Sequence, residues 1–232
     1  MKGGLLVMQN ILQNDIIIPI DTIRLQATLT IPGKVMGMVI FSHGSGSGRF
    51  SPRNRFVADI LNQHHIATLL ADLLTPEEDT VYANRFNIEL LTGRLIALTR
   101  WISHRDFGQT IPVGYFGAST GVASALQAAV QCSNIVSAIV SRGGRPDLAS
   151  VSLASVTTPT LLIVGSLDEE VLALNRQALV RLSCEKKLTI IEGATHLFEE
   201  PGKLEEVARL ATDWFLHHLR QPVTIDDTTS NY

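Results

Sequence analysis

Ser119 stands in Gly117-Ala118-Ser119-Thr120-Gly121, and Asp168 and His196 follow it along the chain. A serine hydroxyl is a weak nucleophile until a base takes its proton, and the base works best when a carboxylate orients it. Serine, then Asp, then His is the chain order found when the nucleophile stands on a turn between a strand and a helix. The chemistry would be attack on an acyl carbon through a covalent acyl intermediate. It implies no cofactor and no metal, and the sequence has neither a Cys/His cluster nor a His-Glu-x-x-His spacing.

A Gly-x-Ser-x-Gly pattern gains meaning from its placement. Ile111 to Phe116 reads as a buried strand, and Thr120 to Gln131 as a helix of small residues. A turn this sharp brings the neighbouring elements close, and Gly117 and Gly121 remove the side chains that would collide. The Thr120 N–H, unpaired at the helix start, is then a candidate oxyanion donor. The loop Phe41 to Gly48 follows the apolar run Met36 to Ser42 and holds three glycines. Its Ser45 N–H is the candidate second donor, with Gly46 the next choice. A phosphate-binding turn is the rival reading of both loops, but neither Gly-x-Gly-x-x-Gly nor Gly-Lys-Ser/Thr occurs.

The strand Thr160 to Gly165 runs into Ser166-Leu167-Asp168, and Leu188 to Glu192 into Gly193-Ala194-Thr195-His196. Both partners therefore fall at carboxyl ends of strands, where open α/β sheets place their sites. Glu169, Glu170 and Asp147 are alternative carboxylates. His64, His65, His104, His217 and His218 lie at helix ends on the opposite rim, and His43 opens the glycine loop ahead of the serine. Glu199 and Glu200, with Pro201, read as the start of the last helix. Arg142 and Arg145, in Ser141-Arg142-Gly143-Gly144-Arg145-Pro146-Asp147, fall on the rim of the site. They could grip an anionic substrate group, or pair with Asp72, Glu77 or Asp147 and hold the rim together.

These residues need a frame. Asp15 to Ile20 and Ile23 to Ile31 read as a hairpin turning at Asp21-Thr22. A helix from Ser51-Pro52 to His64 follows. Next come a strand Ile66 to Ala71, a polar loop at Thr75 to Asp79 and a helix Asn84 to Ser103. Further on lie a strand Ile135 to Ser141, a short helix Asp147 to Ala154 and a helix Lys203 to Leu219. The alternation predicts an α/β fold, a doubly wound and mainly parallel sheet in one domain over residues 1–220. The polar tail 221–232 is expected to fray.

Of the 232 residues 45% are hydrophobic and 18% charged, which suits a sheet covered on both faces, and a net charge of −3 argues against a nucleic-acid partner. Cys132 and Cys184 read as reduced thiols. The stretch Met1 to Met8 lacks the apolar length of a signal peptide, and no run is long enough to span a membrane. The expectation is a soluble, cytoplasmic monomer or homodimer acting on a small molecule.

Together, His43-Gly44-Ser45-Gly46, Gly117 to Gly121, Gly165-Ser166-Leu167-Asp168 and Gly193-Ala194-Thr195-His196-Leu197-Phe198 resemble the α/β-hydrolase superfamily, and within it the dienelactone-hydrolase-like proteins. The resemblance spans Asp15 to Arg220. It implies Ser119 as nucleophile, Asp168 as orienting acid, His196 as base, and backbone donors at Ser45 and Thr120. Dienelactone hydrolases carry a cysteine where this chain has Ser119, which points to general ester, thioester or lactone hydrolysis. Many relatives insert a cap domain after the sixth core strand. Here the gap between Ser141 and Thr160 leaves no room for one, so the site should be an open cleft for small or medium esters. Similar sequences accompany phosphoribosyltransferase-type domains, and none is read in this chain. An acyltransferase or perhydrolase on the same triad, and a non-catalytic binding protein of this fold, are the alternatives.

Overall fold

A computed structural model describes residues 11–105, 111–149 and 153–219. The Met1 to Met8 stretch and the tail 221–232 lie outside them. Strands β1 (Ile11–Ile20), β2 (Ile23–Pro32), β3 (Gly37–Ser42), β4 (Ile66–Ala71), β5 (Val113–Ala118), β6 (Val136–Arg142), β7 (Thr160–Gly165) and β8 (Lys186–Ile191) form one sheet in the order β1-β2-β4-β3-β5-β6-β7-β8. β1 and β2 form the expected hairpin, and β2 runs antiparallel to β4. The remaining pairs are parallel. Asp21, at φ 49°, allows the two-residue turn between β1 and β2. β3, β4, β5 and β7 are buried along their whole length, which is why they read as unbroken apolar runs rather than alternating ones.

Helices α1 (Pro52–Gln63) and α6 (Lys203–His218) cover one face, where Val57, Leu61, Val207 and Phe215 pack on Phe41, Phe116, Val140 and Ile163. On the other face lie α3 (Ile88–Ser103), α4 (Gly121–Gln131) and α5 (Glu169–Arg181). There Leu95, Leu98, Leu126 and Ala178 meet Ile40, Tyr115, Ile139 and Leu162. Among the described residues no helix is long and apolar enough to cross a membrane, and Cys132 and Cys184 are free thiols.

The structure departs from the sequence reading in several places: β1 begins at Ile11 rather than Asp15, β5 ends at Ala118 rather than Phe116, and α5 is a helix that the sequence reading lacks. The polar loop contains one helical turn, α2 (Pro76–Asp79), closed by reciprocal bonds between Thr75 and Glu78. The following helix starts at Ile88 rather than Asn84, because the Asn87 side chain accepts the Leu90 N–H and caps the helix there. The expected helix Asp147 to Ala154 is replaced by two 3-10 turns, Pro146–Ala149 and Leu153–Ser155, on either side of the undescribed 150–152.

Candidate active site

The carboxyl ends of β3, β5, β6, β7 and β8 converge on Ser119. This residue sits between β5 and α4 at φ 51°, in the left-handed region that costs a non-glycine residue about 1 kcal/mol or more. Its backbone is held by bonds from the Ser119 N–H to Arg142 O (3.1 Å) and from the Arg145 N–H to Ser119 O (3.0 Å). The flanking glycines are required by contact distance. A Cβ at Gly121 would stand 2.2 Å from Ser42 O and 2.5 Å from His43 O, and one at Gly117 would stand 2.8 Å from Val122 Cα. These clashes are with backbone, which cannot swing aside. Gly121→Ala is therefore expected to cost about 3 kcal/mol of stability, read as a fall in thermal melting temperature. An unchanged melting temperature would refute this account of the turn.

The three candidate triad residues meet. His196 Nδ1 lies 2.6 Å from Asp168 Oδ2, and His196 Nε2 lies 3.3 Å from Ser119 Oγ. The imidazole is 38% exposed and the carboxylate 14%. Asp168 occupies the N-cap position of α5, yet its side chain makes no capping bond. A cap is worth about 1 kcal/mol, and here the carboxylate faces the histidine instead. The rival carboxylates are accounted for: Asp147 pairs with Arg145, while Glu169 and Glu170 sit exposed in the first turn of α5.

The loop carrying His196 is braced from both sides. Phe198, at φ 56°, is buried and plugs into the core under α6. The Thr195 N–H and hydroxyl donate to the Glu200 carboxylate, the hydroxyl at 2.6 Å. Those bonds hold the Glu200 carboxyl below its usual range. Arg53 Nη1 pairs with Glu199 at 2.8 Å. Glu199 and Glu200 thus belong to the histidine loop and do not open the last helix, which begins at Lys203 after Gly202 in the left-handed region.

On the oxyanion side, the Thr120 N–H has no acceptor among the described residues, while the Ser45 N–H donates to Thr120 Oγ1 at 2.9 Å. The Ser45 donor is therefore occupied at rest by the hydroxyl next to the candidate nucleophile. The glycine loop is anchored through Asp72, which accepts from the Arg49 N–H (2.7 Å) and Arg49 Nε (3.2 Å). His43 fastens its base. The Leu73 N–H donates to His43 Nε2 at 3.1 Å, so the ring proton is on Nδ1 and is given to Gly44 O at 3.0 Å. Burial, the largest influence, pushes the pKa of His43 down. The unfolded chain takes up this proton near its ordinary pKa of about 6.5, while the folded chain resists it. The stabilisation from keeping His43 neutral is thus present above that pH and shrinks as pH falls below it. Chemical denaturation between pH 7 and 5 is expected to show this loss, and His43→Gln to flatten the slope. An equal slope in the variant would assign the effect elsewhere.

Arg142 and Arg145 do not form a common grip. Arg145 is held bidentately by Asp147, Nε to Oδ1 at 2.9 Å and Nη2 to Oδ2 at 2.8 Å. Arg142 is 7% exposed, with no side-chain partner among the described residues. Of the other histidines, His64 and His104 cap the C-terminal ends of α1 and α3, and His217 and His218 lie with Glu185 at the end of α6, away from the triad. A cavity of about 230 Å³ lies along the glycine loop at Gly44 and Ser45, with apolar lining from Leu74, Pro76 and Leu91 and charged lining from Arg49, Asp72 and Arg85. Gly44 also touches the nucleophile turn: a Cβ on it would be 3.1 Å from Ser119 Cβ.

An eight-stranded, mainly parallel sheet with its second strand antiparallel, carrying a serine on the turn after a central strand, defines an α/β-hydrolase. The comparisons agree. A crystal structure of dienelactone hydrolase from Anabaena variabilis is 50% identical, with a TM-score of 0.88 over 90% of this chain and 99% of that one. The chain belongs to the dienelactone hydrolase family. The fold is shared more widely: Est1E from Butyrivibrio proteoclasticus, 19% identical, gives a TM-score of 0.76 over 88% of this chain and 98% of its own. A protein of Mycobacterium tuberculosis, provisionally named a phosphoribosyl transferase, is 57% identical over 194 residues. That match takes in 84% of this chain but only 44% of the relative, so the chain spans less than half the length of the curated relatives it matches. No family model matches the chain.

Proposed function

We propose that the protein is a serine hydrolase that cleaves a small or medium carboxylic ester, thioester or lactone. The observation that carries this reading is the continuous chain Ser119 Oγ, His196 Nε2, His196 Nδ1 and Asp168 Oδ2, with spacings of 3.3 and 2.6 Å at its two hydrogen bonds. His196 accepts the hydroxyl proton as Ser119 Oγ attacks the acyl carbon. The resulting oxyanion is held by the Thr120 N–H and, once it lets go of Thr120 Oγ1, by the Ser45 N–H. Each such donor contributes about 3 kcal/mol, by analogy with measured oxyanion holes. The tetrahedral species collapses as His196 hands the proton to the departing alkoxide or thiolate. Water then attacks the acyl-serine with the same base, and the acid leaves. Asp168 keeps the imidazole in the tautomer whose Nε2 can accept.

The cavity at Gly44 and Ser45, apolar at Leu74, Pro76 and Leu91 and charged at Arg49, Asp72 and Arg85, has room for a compact acyl or alcohol group. A second reading rests on the 38% exposure of His196: an alcohol or peroxide could replace water in the second step, making an acyltransferase or perhydrolase. The phosphoribosyl transferase name of the mycobacterial relatives describes proteins of which the matched segment is 44%, and the triad geometry supports hydrolysis for this chain. A cytoplasmic location is part of the same proposal. Two experiments test the reading. A fluorophosphonate probe should label Ser119, and a panel of p-nitrophenyl esters and thioesters should be turned over with preference for short acyl groups. Folded protein that neither takes the label nor hydrolyses any member would overturn it.

A further inference from the structure

β6 ends in a charge that the proposed mechanism does not use. Along β6 the side chains of Ala138 and Val140 belong to the core under α1 and α6, and alternation puts Arg142 on that same face. Arg142 is 7% exposed, and its Nε and Nη1 are enclosed without any hydrogen-bond partner. The charge that acts on it is another cation, Arg53, in the first turn of α1. Arg53 leaves its own Nε enclosed and unpartnered. The only carboxylate paired with either guanidinium among the described residues is Glu199, on Arg53, and it is 63% exposed. The first turn of α1 carries no acidic residue, so the positive end of the helix dipole adds to the same region.

Enclosing an unpaired guanidinium is unfavourable, because it gives up hydration without gaining a counter-charge. Burial, helped by the Arg53 charge, pushes the Arg142 pKa down to about 10. That is still far enough above neutrality to leave the group a cation, so proton loss does not relieve the cost. An oxyanion does relieve it, because it accepts from several N–H donors at once and supplies the missing charge.

We propose that Arg142 and Arg53, at the first turn of α1, form a binding site for a phosphate group one residue from the candidate catalytic centre. Two cations and a helix N-terminus set against one exposed carboxylate favour a dianion over a carboxylate. Gly143, the next residue, lies against His196: a Cβ there would be 3.4 Å from its Cε1 and Nδ1. The placement beside a substrate rests on the hydrolase reading, whereas the anion site itself does not.

The test is calorimetric titration of the full chain with inorganic phosphate, phenyl phosphate and benzoate, with melting curves in the presence and absence of phosphate. Wild type should bind both phosphates and reject benzoate. Arg53→Met and Arg142→Met should each weaken phosphate at least about tenfold, as expected for a charge-assisted bond. Without phosphate, Arg142→Met should melt at or above the wild-type temperature, since an uncompensated charge is gone. Phosphate should then raise the melting temperature of wild type but not of the variant. If Arg142→Met does not fold, the less buried Arg53→Met carries the comparison. No phosphate binding by wild type, binding unaffected by either substitution, or benzoate bound as tightly would each overturn the site. Where phosphate binds, competitive inhibition of a neutral p-nitrophenyl ester marks it as a substrate's own group, and non-competitive inhibition as a free anion. Fluorophosphonate labelling reports on Ser119 regardless of phosphate, so failure of the anion site and failure of the hydrolase reading are distinguishable.

Discussion

Ser119→Ala is expected to lower kcat on any ester the protein hydrolyses by about a million-fold, by analogy with measured triads. Without the hydroxyl, His196 Nε2 has no group to deprotonate at 3.3 Å, and water attacking from solution has only the oxyanion donors to help it. The fold should not register the change. The side chain is only half-buried, and alanine takes the left-handed backbone at much the same cost as serine. The melting temperature should therefore stay put while both turnover and fluorophosphonate labelling vanish. A variant retaining hydrolysis within about tenfold of wild type would place the nucleophile elsewhere, since a triad stripped of its serine keeps only the small residual rate of its oxyanion donors. That dissociation of activity from stability separates Ser119 from Gly121, two residues away, whose substitution should lower the melting temperature.

The elbow was readable in the sequence because each of its requirements leaves a local mark. Buried parallel strands must be apolar throughout, so β4 and β7 begin and end where the residues predict. Glycines that touch backbone cannot be replaced, so Gly117 and Gly121 mark the turn. Asp168 and His196 follow strand ends, and strand ends follow from the same apolar runs. What stayed hidden depends on contacts between distant residues. Glu200 reads as a helix opener until Thr195 is seen donating to it, and Glu199 does so until Arg53, 146 positions earlier, is found on it. The adaptation of the Ser45 N–H to the Thr120 hydroxyl spans 75 residues and leaves no trace in either loop. Arg142 and Arg145 look equivalent in sequence. The structure separates them: Arg142 is the last residue of β6, on the face that Ala138 and Val140 turn to the core under α1, while Arg145 lies beyond the strand, paired with Asp147. α5 is marked weakly for a related reason: Val171, Leu172, Asn175 and Ala178 are the buried positions of a helix otherwise polar.

Asp168→Asn should cost about 10⁴-fold in kcat while leaving binding and folding nearly untouched. The carboxylate 2.6 Å from His196 Nδ1 requires the ring proton there, which frees Nε2 to accept from Ser119. An asparagine amide can donate to Nδ1 instead, turning the ring to the tautomer whose Nε2 carries the proton and cannot act as base. Because the Asp168 side chain makes no bond to the α5 backbone, little helix stability hangs on it. Asp147→Asn supplies the contrast. Its carboxyl is held below the usual range by the Arg145 side chain, so it stabilises the fold above the unfolded-state pKa of about 3.9 and loses that contribution as pH falls further. Near neutral pH the Asp147 variant should melt lower than wild type and retain its kcat, and below the carboxylate range the difference in melting should close. Should Asp147→Asn prove the inactive variant and Asp168→Asn the active one, the orienting acid would have to be reassigned. The geometry argues against that outcome, since both Asp147 oxygens are taken by one guanidinium and Asp168 has its Oδ2 on the base.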